Sequence, residues 1–125
     1  MGSQKRSQAT KALSSNKLAS IIARGMENKK ALGIEMIDIR KTSSVCNYVV
    51  LCSANSAPQV EAITDGIDEA LIKSGIKPAR WHGKSDSNWK ILDMINVVAH
   101  VMGEEERQKY ALEKLWEKSG VTYYV

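Results

Sequence analysis

The sequence predicts a single α/β domain of the α+β type, built on a mixed sheet of five strands flanked by helices. Apolar runs of strand length alternate with segments of helical period, so strands and helices share one core. Strands joined both through a helix and through short turns require parallel and antiparallel pairs in one sheet. The chain has 125 residues, of which 43% are hydrophobic and 26% charged, which suits one globular core.

The first third of the chain predicts one helix and two strands. After residues 1–8, which we expect to be a mobile polar N-terminus, the segment from Thr10 carries apolar residues at helical spacing. Residues 34–40 and 48–52 are rich in β-branched and other apolar side chains and predict two strands. The second strand is apolar on both faces, so we expect it to be central and covered by helices on each side.

A second helix and a short third strand follow a polar loop. Ser56 and Gln59 have the spacing of a capping box, which predicts the N-terminus of a helix that Gly75 should end. Gly66 lies in the middle of this helix, where it should cost up to about 1 kcal/mol relative to alanine. A short strand is expected around residues 79–82.

The closing stretch predicts two more strands and a last helix. Residues 88–94 and 96–102 are apolar runs of strand length, and Gly103 separates them from three consecutive glutamates. Glutamates favour a helix N-terminus because unpaired N–H groups and the positive end of the dipole lie there. The domain is expected to span residues 9–118, followed by a frayed tail at 119–125. The expected apolar stripe of the last helix consists of Ala111, Leu112, Leu115 and Trp116.

Positive charge is concentrated at the start of the chain. Residues 1–30 hold seven Lys or Arg and one Glu, a net charge of +6, whereas residues 31–125 hold eleven basic and thirteen acidic residues, a net charge of −2. The body of the domain is therefore slightly acidic. Every aromatic residue lies after residue 47, so the chain lacks the basic stripe with interleaved aromatic residues that single-strand binders use.

The remaining composition predicts a cytoplasmic protein without a metal or cofactor; an organellar location stays open. No apolar run is long enough to cross a membrane, and the N-terminus lacks the apolar core of a secretory signal. Cys46 and Cys52 are expected to be buried, reduced thiols. Together with His82 and His100 they form no pair with zinc-ligand spacing, and no glycine-rich nucleotide loop occurs.

Four residues of the closing stretch are candidates for contact with a partner or for structural roles. Trp89 lies at the mouth of a loop, and tryptophan is enriched among interface anchors, with core packing as the alternative. His100 lies among apolar residues, which favours a neutral core or strand-edge histidine over a contact residue. Asp93 precedes Asn96 by three positions, so it either accepts a hydrogen bond in a turn or faces a partner. Tyr110 falls outside the apolar stripe, and it either covers a neighbouring strand or is exposed for a partner.

Several short motifs follow one another along residues 10–117. They are Asp38-x-Arg40, Ser43-Ser44-x-x-x-Tyr48-x-Val50, Ser53-x-x-Ser56, Trp89-x-x-x-Asp93, Val97-Val98-Ala99-His100-Val101 and Glu105-x-Arg107-x-x-Tyr110-x-Leu112-Glu113-x-Leu115-Trp116. No single motif is diagnostic. Their order and spacing together resemble the ribosomal silencing factor family, also called the Iojap-like proteins.

The resemblance implies a nucleotidyltransferase-like topology, but the catalytic carboxylates of that fold are missing. Nucleotidyl transfer needs neighbouring carboxylates that hold divalent metal ions. Arg40 stands where the second carboxylate after Asp38 should be, and Asp93 is alone on its strand. We therefore predict a protein that is not an enzyme. The alternatives are a divergent nucleotidyltransferase-like enzyme and a homodimeric scaffold that pairs through the edge formed by residues 88–102.

The resemblance further implies a ribosome-binding translational repressor. Such a factor docks on the large ribosomal subunit at its universal fourteenth protein and blocks joining of the small subunit. An acidic body suits a basic ribosomal protein, and the basic N-terminal arm is expected to contact rRNA phosphates without sequence preference. We expect a monomer or a weak homodimer. The residues assigned to partner binding are Trp89, Asp93, Asn96, His100, Tyr110 and Glu105.

Three departures from the family pattern remove acidic groups from strand ends. Family members usually carry Thr-Asp, Glu-Gly and Gly-Asp at these positions. This chain has Cys46-Asn47, His82-Gly83 and Ile95-Asn96 there. We expect an altered docking face. A β-branched residue rarely takes a positive φ. The turn at Ile95 is therefore expected to use another geometry or to place the positive φ at Asn96.

Overall fold

Three helices and six strands alternate along the part of the chain that the computed structural model describes. The described residues are 14–41, 43–44, 46–83, 88–111, 114 and 120–123. The helices are α1 (Ser15–Asn28), α2 (Ala57–Lys73) and α3 (Glu104–Tyr110), and the strands are β1 (Leu32–Asp38), β2 (Tyr48–Ala54), β3 (Trp81–His82), β4 (Trp89–Asp93), β5 (Val97–Gly103) and β6 (Gly120–Tyr123).

The strands form one mixed sheet in the order β3-β4-β5-β2-β1-β6. The pair β2–β5 is parallel, since α2 and two further strands lie between them in the chain, and the other neighbours are antiparallel. The predicted fold class is confirmed, and all five expected strands are present. The expected self-pairing edge is wrong, because β5 lies inside the sheet and β3 pairs with β4 at Ile91 and Leu92.

The sixth strand comes from the segment that was expected to be a frayed tail. β6 pairs antiparallel with β1, from Gly120 opposite Asp38 to Tyr123 opposite Glu35. The expectation was wrong for residues 120–123, and two causes are visible in the sequence. The segment Val-Thr-Tyr has high strand propensity, and the outer edge of β1 offers backbone groups that need partners.

Helices α1 and α2 pack on one face of the sheet and bury the larger core. Ile22 of α1 and Ile63 of α2 are fully buried in this core with Val50 of β2. A smaller cluster on the opposite face includes Ile37 and Leu51. All seven residues of β2 are buried, which confirms a central strand. Helices α1 and α2 cover the face of β2 that carries the larger core, and the short helix α3 contacts β2 and β5 on the opposite face.

Two glycines allow α1 and α2 to approach closely. A Cβ atom on Gly25 would lie 2.6 Å from Ile67 Cα, and a Cβ atom on Gly66 would lie 2.8 Å from the carbonyl oxygen of Gly25. Backbone atoms at such distances move away only if a whole helix shifts. The close contact accounts for a glycine in the middle of α2 despite its low helix propensity.

Replacing Gly25 with alanine is expected to lower the free energy of unfolding by about 2 kcal/mol, because the new methyl group overpacks the contact between the helices. Helix propensity alone would favour alanine by about 1 kcal/mol, so the two effects have opposite signs. Urea unfolding measures the difference. Alanine at the neighbouring exposed Arg24 is the control and should change stability by no more than about 0.5 kcal/mol. A Gly25→Ala variant as stable as the control would contradict the close contact.

The ends of α2 are as predicted. Ser56 is the N-cap, and its hydroxyl accepts a hydrogen bond from the Gln59 backbone N–H at 3.2 Å. The Gln59 side chain accepts in return from the N–H of Asn55 at 2.6 Å. Gly75 follows the C-cap with a φ of +77°. Neither α2 nor any other described helix is long and apolar enough to cross a membrane.

The last helix is shorter than predicted. α3 ends at Tyr110, and Ala111 takes the left-handed conformation with a φ of +45°. The expected continuation to residue 116 was therefore wrong at its first step, while Leu112, Leu115 and Trp116 lie outside the described residues. Contacts made by the side chains of Arg107 and Tyr110, described below, set the position of this short helix against the sheet and outweigh helix propensity.

Candidate partner-binding face

Trp89 begins β4 and lies on the sheet face opposite α1 and α2. The pairing of β4 with β5 places Ile91 opposite His100 and Leu92 opposite Ala99. The second pair belongs to the core beneath the helices, so Trp89, Ile91 and His100 share the other face. The indole Nε1 of Trp89 donates a hydrogen bond to Nδ1 of His100 at 3.1 Å. This bond fixes the orientation of a half-buried indole.

Tyr110 completes an aromatic cluster around Trp89. The two ring centroids are 4.8 Å apart with the planes inclined by 45°, and the Trp89 and His100 centroids are 6.1 Å apart. Tyr110 remains 50% exposed. Tyr110 therefore covers a residue of a neighbouring strand, which was one of its two expected roles, and it still presents half of its surface. We name Trp89, His100 and Tyr110 the aromatic cluster.

His100 is a neutral member of this cluster. Burial lowers the pKa of His100 to about 4, so the ring carries no charge near pH 7. Because Nδ1 accepts from the Trp89 indole, the proton of the neutral ring lies on Nε2. The imidazole thus holds the indole through one nitrogen and offers a hydrogen-bond donor through the other.

Arg107 fixes α3 against the sheet and so positions Tyr110. α3 follows β5, but Arg107 reaches β1, two strands away, where its Nη1 donates to the carbonyl oxygens of Leu32 and Gly33. Its Nη2 lies 3.6 Å from Glu35 Oε1, and the two side chains are only 12% and 15% exposed. Gly33 has a φ of +55°, and a Cβ atom there would lie 2.7 Å from Arg107 Nη1. A glycine is required at this irregular start of β1 so that the guanidinium can reach the carbonyls.

Asp93 and Asn96 lie at the opposite end of the β4–β5 hairpin from the aromatic cluster. Four residue steps along β4 separate Asp93 from Trp89, a distance of about 13 Å. The carboxylate of Asp93 accepts a hydrogen bond from the backbone N–H of Ile95 at 2.8 Å, so Asp93 is a turn acceptor and is also exposed. The carbonyl oxygen of Asn96 accepts from the backbone N–H groups of Asn47 and Tyr48, at 2.8 and 3.2 Å.

The turn between β4 and β5 differs from the expectation for Ile95. Ile95 itself takes a positive φ of +72°. The N–H of Asn96 donates to the carbonyl oxygen of Met94 at 2.9 Å, which makes a three-residue γ-turn centred on Ile95. The expectation that the turn would avoid a positive φ at Ile95, by another geometry or by placing it at Asn96, was wrong, because the Asp93 carboxylate and the contacts of the Asn96 carbonyl hold the turn in this form.

Glu105 lies in the first turn of α3 and is exposed. A polar depression of about 260 Å³ adjoins it, between the C-terminal ends of β2 and β5 and the first turn of α3. Its lining is rich in carboxylates, but the described residues contain no group of three or more His, Cys, Asp or Glu side chains placed to hold a metal ion.

The two carboxylates considered for nucleotidyl transfer lie on opposite faces of the sheet. Asp38 pairs with Tyr48 on the face that carries the helices, whereas Asp93 pairs with Val98 on the other face. Asp38 also forms an ion pair with Arg40, with Nη2 and Oδ2 2.6 Å apart, and the hydrogen bonds from Arg40 lower the pKa of this carboxyl group. Asp38 and Asp93 are therefore unsuited to holding one metal ion between them.

Residues 12–123 match the model of the family described as "Ribosomal silencing factor during starvation". The chain belongs to the ribosomal silencing factor family. A relative in Bacillus subtilis, named ribosomal silencing factor RsfS, is 34% identical over 99 residues, which cover 79% of this chain and 84% of the relative. The factor of the same name in Halalkalibacterium halodurans is 30% identical over 104 residues, covering 83% and 89% of the two chains.

Two crystal structures are similar to the fold described above. A protein from Chromobacterium violaceum superposes with a TM-score of 0.78 at 24% identity, covering 90% of this chain and 93% of that one. A protein from Bacillus halodurans superposes with a TM-score of 0.71 at 29% identity, covering 82% and 95%. The family match runs from residue 12 to residue 123, so it includes β6.

The six residues assigned to partner binding divide into separate groups in this member of the ribosomal silencing factor family. Trp89, His100 and Tyr110 form the aromatic cluster, Glu105 lies on the same short helix as Tyr110, and Asp93 and Asn96 lie at the far turn. Sequence reasoning assigned no role to Arg107. Gly33 lies directly before the strand predicted at residues 34–40, where a glycine indicates a turn or an irregular backbone, and it was the available signal.

Proposed function

We propose that this protein docks on the large ribosomal subunit, at its universal fourteenth protein, and prevents the small subunit from joining. The proposal is carried by the aromatic cluster, found in a member of the ribosomal silencing factor family. Trp89 is oriented by His100 and Tyr110 before any partner arrives, so little side-chain entropy remains to be lost on binding. Pre-oriented, half-exposed aromatic residues have the properties of interface anchors.

Charge supports a basic partner. The chain after residue 30 has a net charge of −2, and Asp93 and Glu105 are exposed on either side of the cluster along the sheet. Ribosomal proteins are commonly basic, and complementary potentials raise association rates and fix orientation. We further propose that the basic residues before position 31 contact rRNA phosphates without sequence preference.

The proposed mechanism is steric and requires no covalent chemistry. A rigid domain bound to the joining surface of one subunit excludes the other subunit, and the equilibrium shifts by mass action. The placement of Asp38 and Asp93 on opposite faces of the sheet supports a role without catalysis. We propose that the protein acts in the cytoplasm as a monomer or a weak homodimer.

Sedimentation with separated ribosomal subunits tests the proposal. The protein is mixed with purified large or small subunits and centrifuged through a sucrose gradient at moderate salt. We expect it to travel with the large subunit and to remain at the top of the gradient with the small subunit. Protein that remains at the top with both subunits would contradict the proposal, and so would equal migration with both.

Asparagine at position 93 tests the contribution of charge. Asp93→Asn removes the negative charge but keeps an oxygen that accepts the Ile95 N–H, so stability should change by no more than about 0.5 kcal/mol. Binding to the large subunit should weaken about threefold at low salt, and the difference should disappear at high salt. Asp65→Asn on the exposed surface of α2 removes the same charge away from the face. Equal effects of the two variants on binding would contradict a charge contact by Asp93.

A further inference from the structure

Ile95, at the tip of the β4–β5 hairpin, is unfavourable in both conformation and solvation. Its φ of +72° belongs to the strained form of the γ-turn, and β-branched residues rarely adopt a positive φ. The side chain is 77% exposed, more than any other large hydrophobic side chain in the described part of the chain. A glycine or an asparagine would fit this position with less strain and less exposed apolar surface.

The turn holds Ile95 firmly in this conformation. The Asp93 carboxylate accepts from its N–H at 2.8 Å, and the N–H of Asn96 closes the γ-turn on Met94 at 2.9 Å. The Asn96 carbonyl oxygen in turn accepts a hydrogen bond from the backbone N–H of Asn47. Strain held in place by surrounding contacts is characteristic of ligand-contacting segments.

We propose that Ile95 is a second apolar anchor of the docking face and inserts into an apolar pocket or groove of the same large-subunit partner. The inference rests on the proposed function. Trp89 begins β4 and lies about 13 Å from Asp93, and Ile95 follows Asp93 by two residues, so both side chains fit within the span of an interface that buries about 800 Å² on each side. Exposed Asp93 and Asn96 flank Ile95, so an apolar side chain lies within a polar rim, as in the central part of many interfaces.

Substitution of Ile95 should change stability and binding in opposite directions. Ile95→Gly and Ile95→Asn relieve the strained φ, so the melting temperature should rise by about 3 °C. The same variants lose the apolar anchor, so affinity for the large subunit should fall about tenfold. Ile95→Leu keeps an apolar side chain without β-branching and should bind within about threefold of the unmodified protein. Melting is followed by circular dichroism and binding by sedimentation with large subunits.

Ile72 provides the matched control. Its side chain is 63% exposed on α2, and α2 packs on the face of the sheet that lacks the aromatic cluster. Ile72→Asn removes an exposed isoleucine of the same kind, and affinity for the large subunit should not change. A loss of affinity in this control equal to that of Ile95→Asn would overturn the inference, because the loss would then be unrelated to the turn.

The outcomes separate the inference from the proposed function. If Trp89→Ala loses binding while Ile95→Gly and Ile95→Asn bind normally, the second anchor is wrong and the docking proposal stands. A fall in melting temperature for both Ile95 variants would overturn the claim of strain. If the unmodified protein does not travel with the large subunit, the proposed function is wrong, and the second anchor is wrong with it. Light scattering of the unmodified protein shows whether a second copy of the chain binds at Ile95 instead of the large subunit. A dimer that forms in the unmodified protein and is lost in Ile95→Asn would overturn the inference.

Discussion

Replacing Trp89 with alanine is expected to weaken binding to the large ribosomal subunit about 30-fold, which corresponds to the 2 kcal/mol or more typical of an interface hot spot. The indole supplies the centre of the aromatic cluster, and its removal leaves Tyr110 and His100 without their common contact. Sedimentation at several protein concentrations measures the affinity. The circular dichroism spectrum should be retained, because Trp89 lies outside the core beneath α1 and α2.

A pair of phenylalanine variants distinguishes docking from folding. Trp89→Phe removes the indole N–H that donates a hydrogen bond to His100. Trp81→Phe removes the indole N–H that donates a hydrogen bond to the Asp68 carboxylate at 2.9 Å. Trp81 packs against the core beneath the helices, so each variant loses one indole hydrogen bond, and the two bonds lie on opposite faces of the sheet. We expect comparable small losses of stability but weaker binding only for Trp89→Phe. Weaker binding for both would indicate a general effect of destabilisation.

Replacing Arg107 with alanine is expected to have the largest effect on stability, a loss of about 3 kcal/mol in the free energy of unfolding. The substitution removes the donors to the Leu32 and Gly33 carbonyls and leaves the largely buried Glu35 without this cation. Urea unfolding at neutral pH measures the loss. Because α3 also carries Tyr110, binding to the large subunit should weaken even where the variant is folded.

Lysine at position 107 provides the control for charge alone. A lysine ammonium keeps the positive charge but lacks the planar guanidinium that bonds two carbonyls and approaches Glu35 at once. We expect Arg107→Lys to recover less than half of the lost stability. Full recovery would mean that charge near Glu35, and not the geometry of the hydrogen bonds, holds α3 in place.

The elements of this fold follow from local patterns, and most of them could be predicted. The Ser56 and Gln59 pair and the glycine at 75 mark the ends of α2 because capping depends on neighbouring residues. The apolar runs of β2 and β5 indicate buried strands because both lie in the centre of the sheet. Their parallel pairing follows from the helix between them.

The features that could not be predicted depend on contacts between distant parts of the chain. β6 forms because β1 has a free edge, and the segment that pairs with it lies more than eighty residues later. α3 ends early, with Arg107 held by β1 and Tyr110 held by Trp89. Neither contact has a signature in the sequence near α3.

The candidate site was predicted as a set of residues but not as an arrangement. Trp89 and His100 were selected separately, and only the register of β4 with β5 shows that they bond to each other. Asp93 belonged to the same set, yet it lies at the other end of β4 from Trp89, four residues and about 13 Å away. The strained turn at Ile95 was expected to be avoided, because sequence reasoning weighs the local cost and does not include the contacts that offset it.

The most direct test of the central claim is a subunit-joining assay. Purified large and small subunits are mixed at a magnesium concentration that supports joining, and the fraction of joined ribosomes is measured by light scattering as the protein is added. We expect that fraction to fall in proportion to the occupancy of the large subunit, and Trp89→Ala should require about 30-fold more protein. Large subunits that are saturated with the protein and still join small subunits normally would contradict the account.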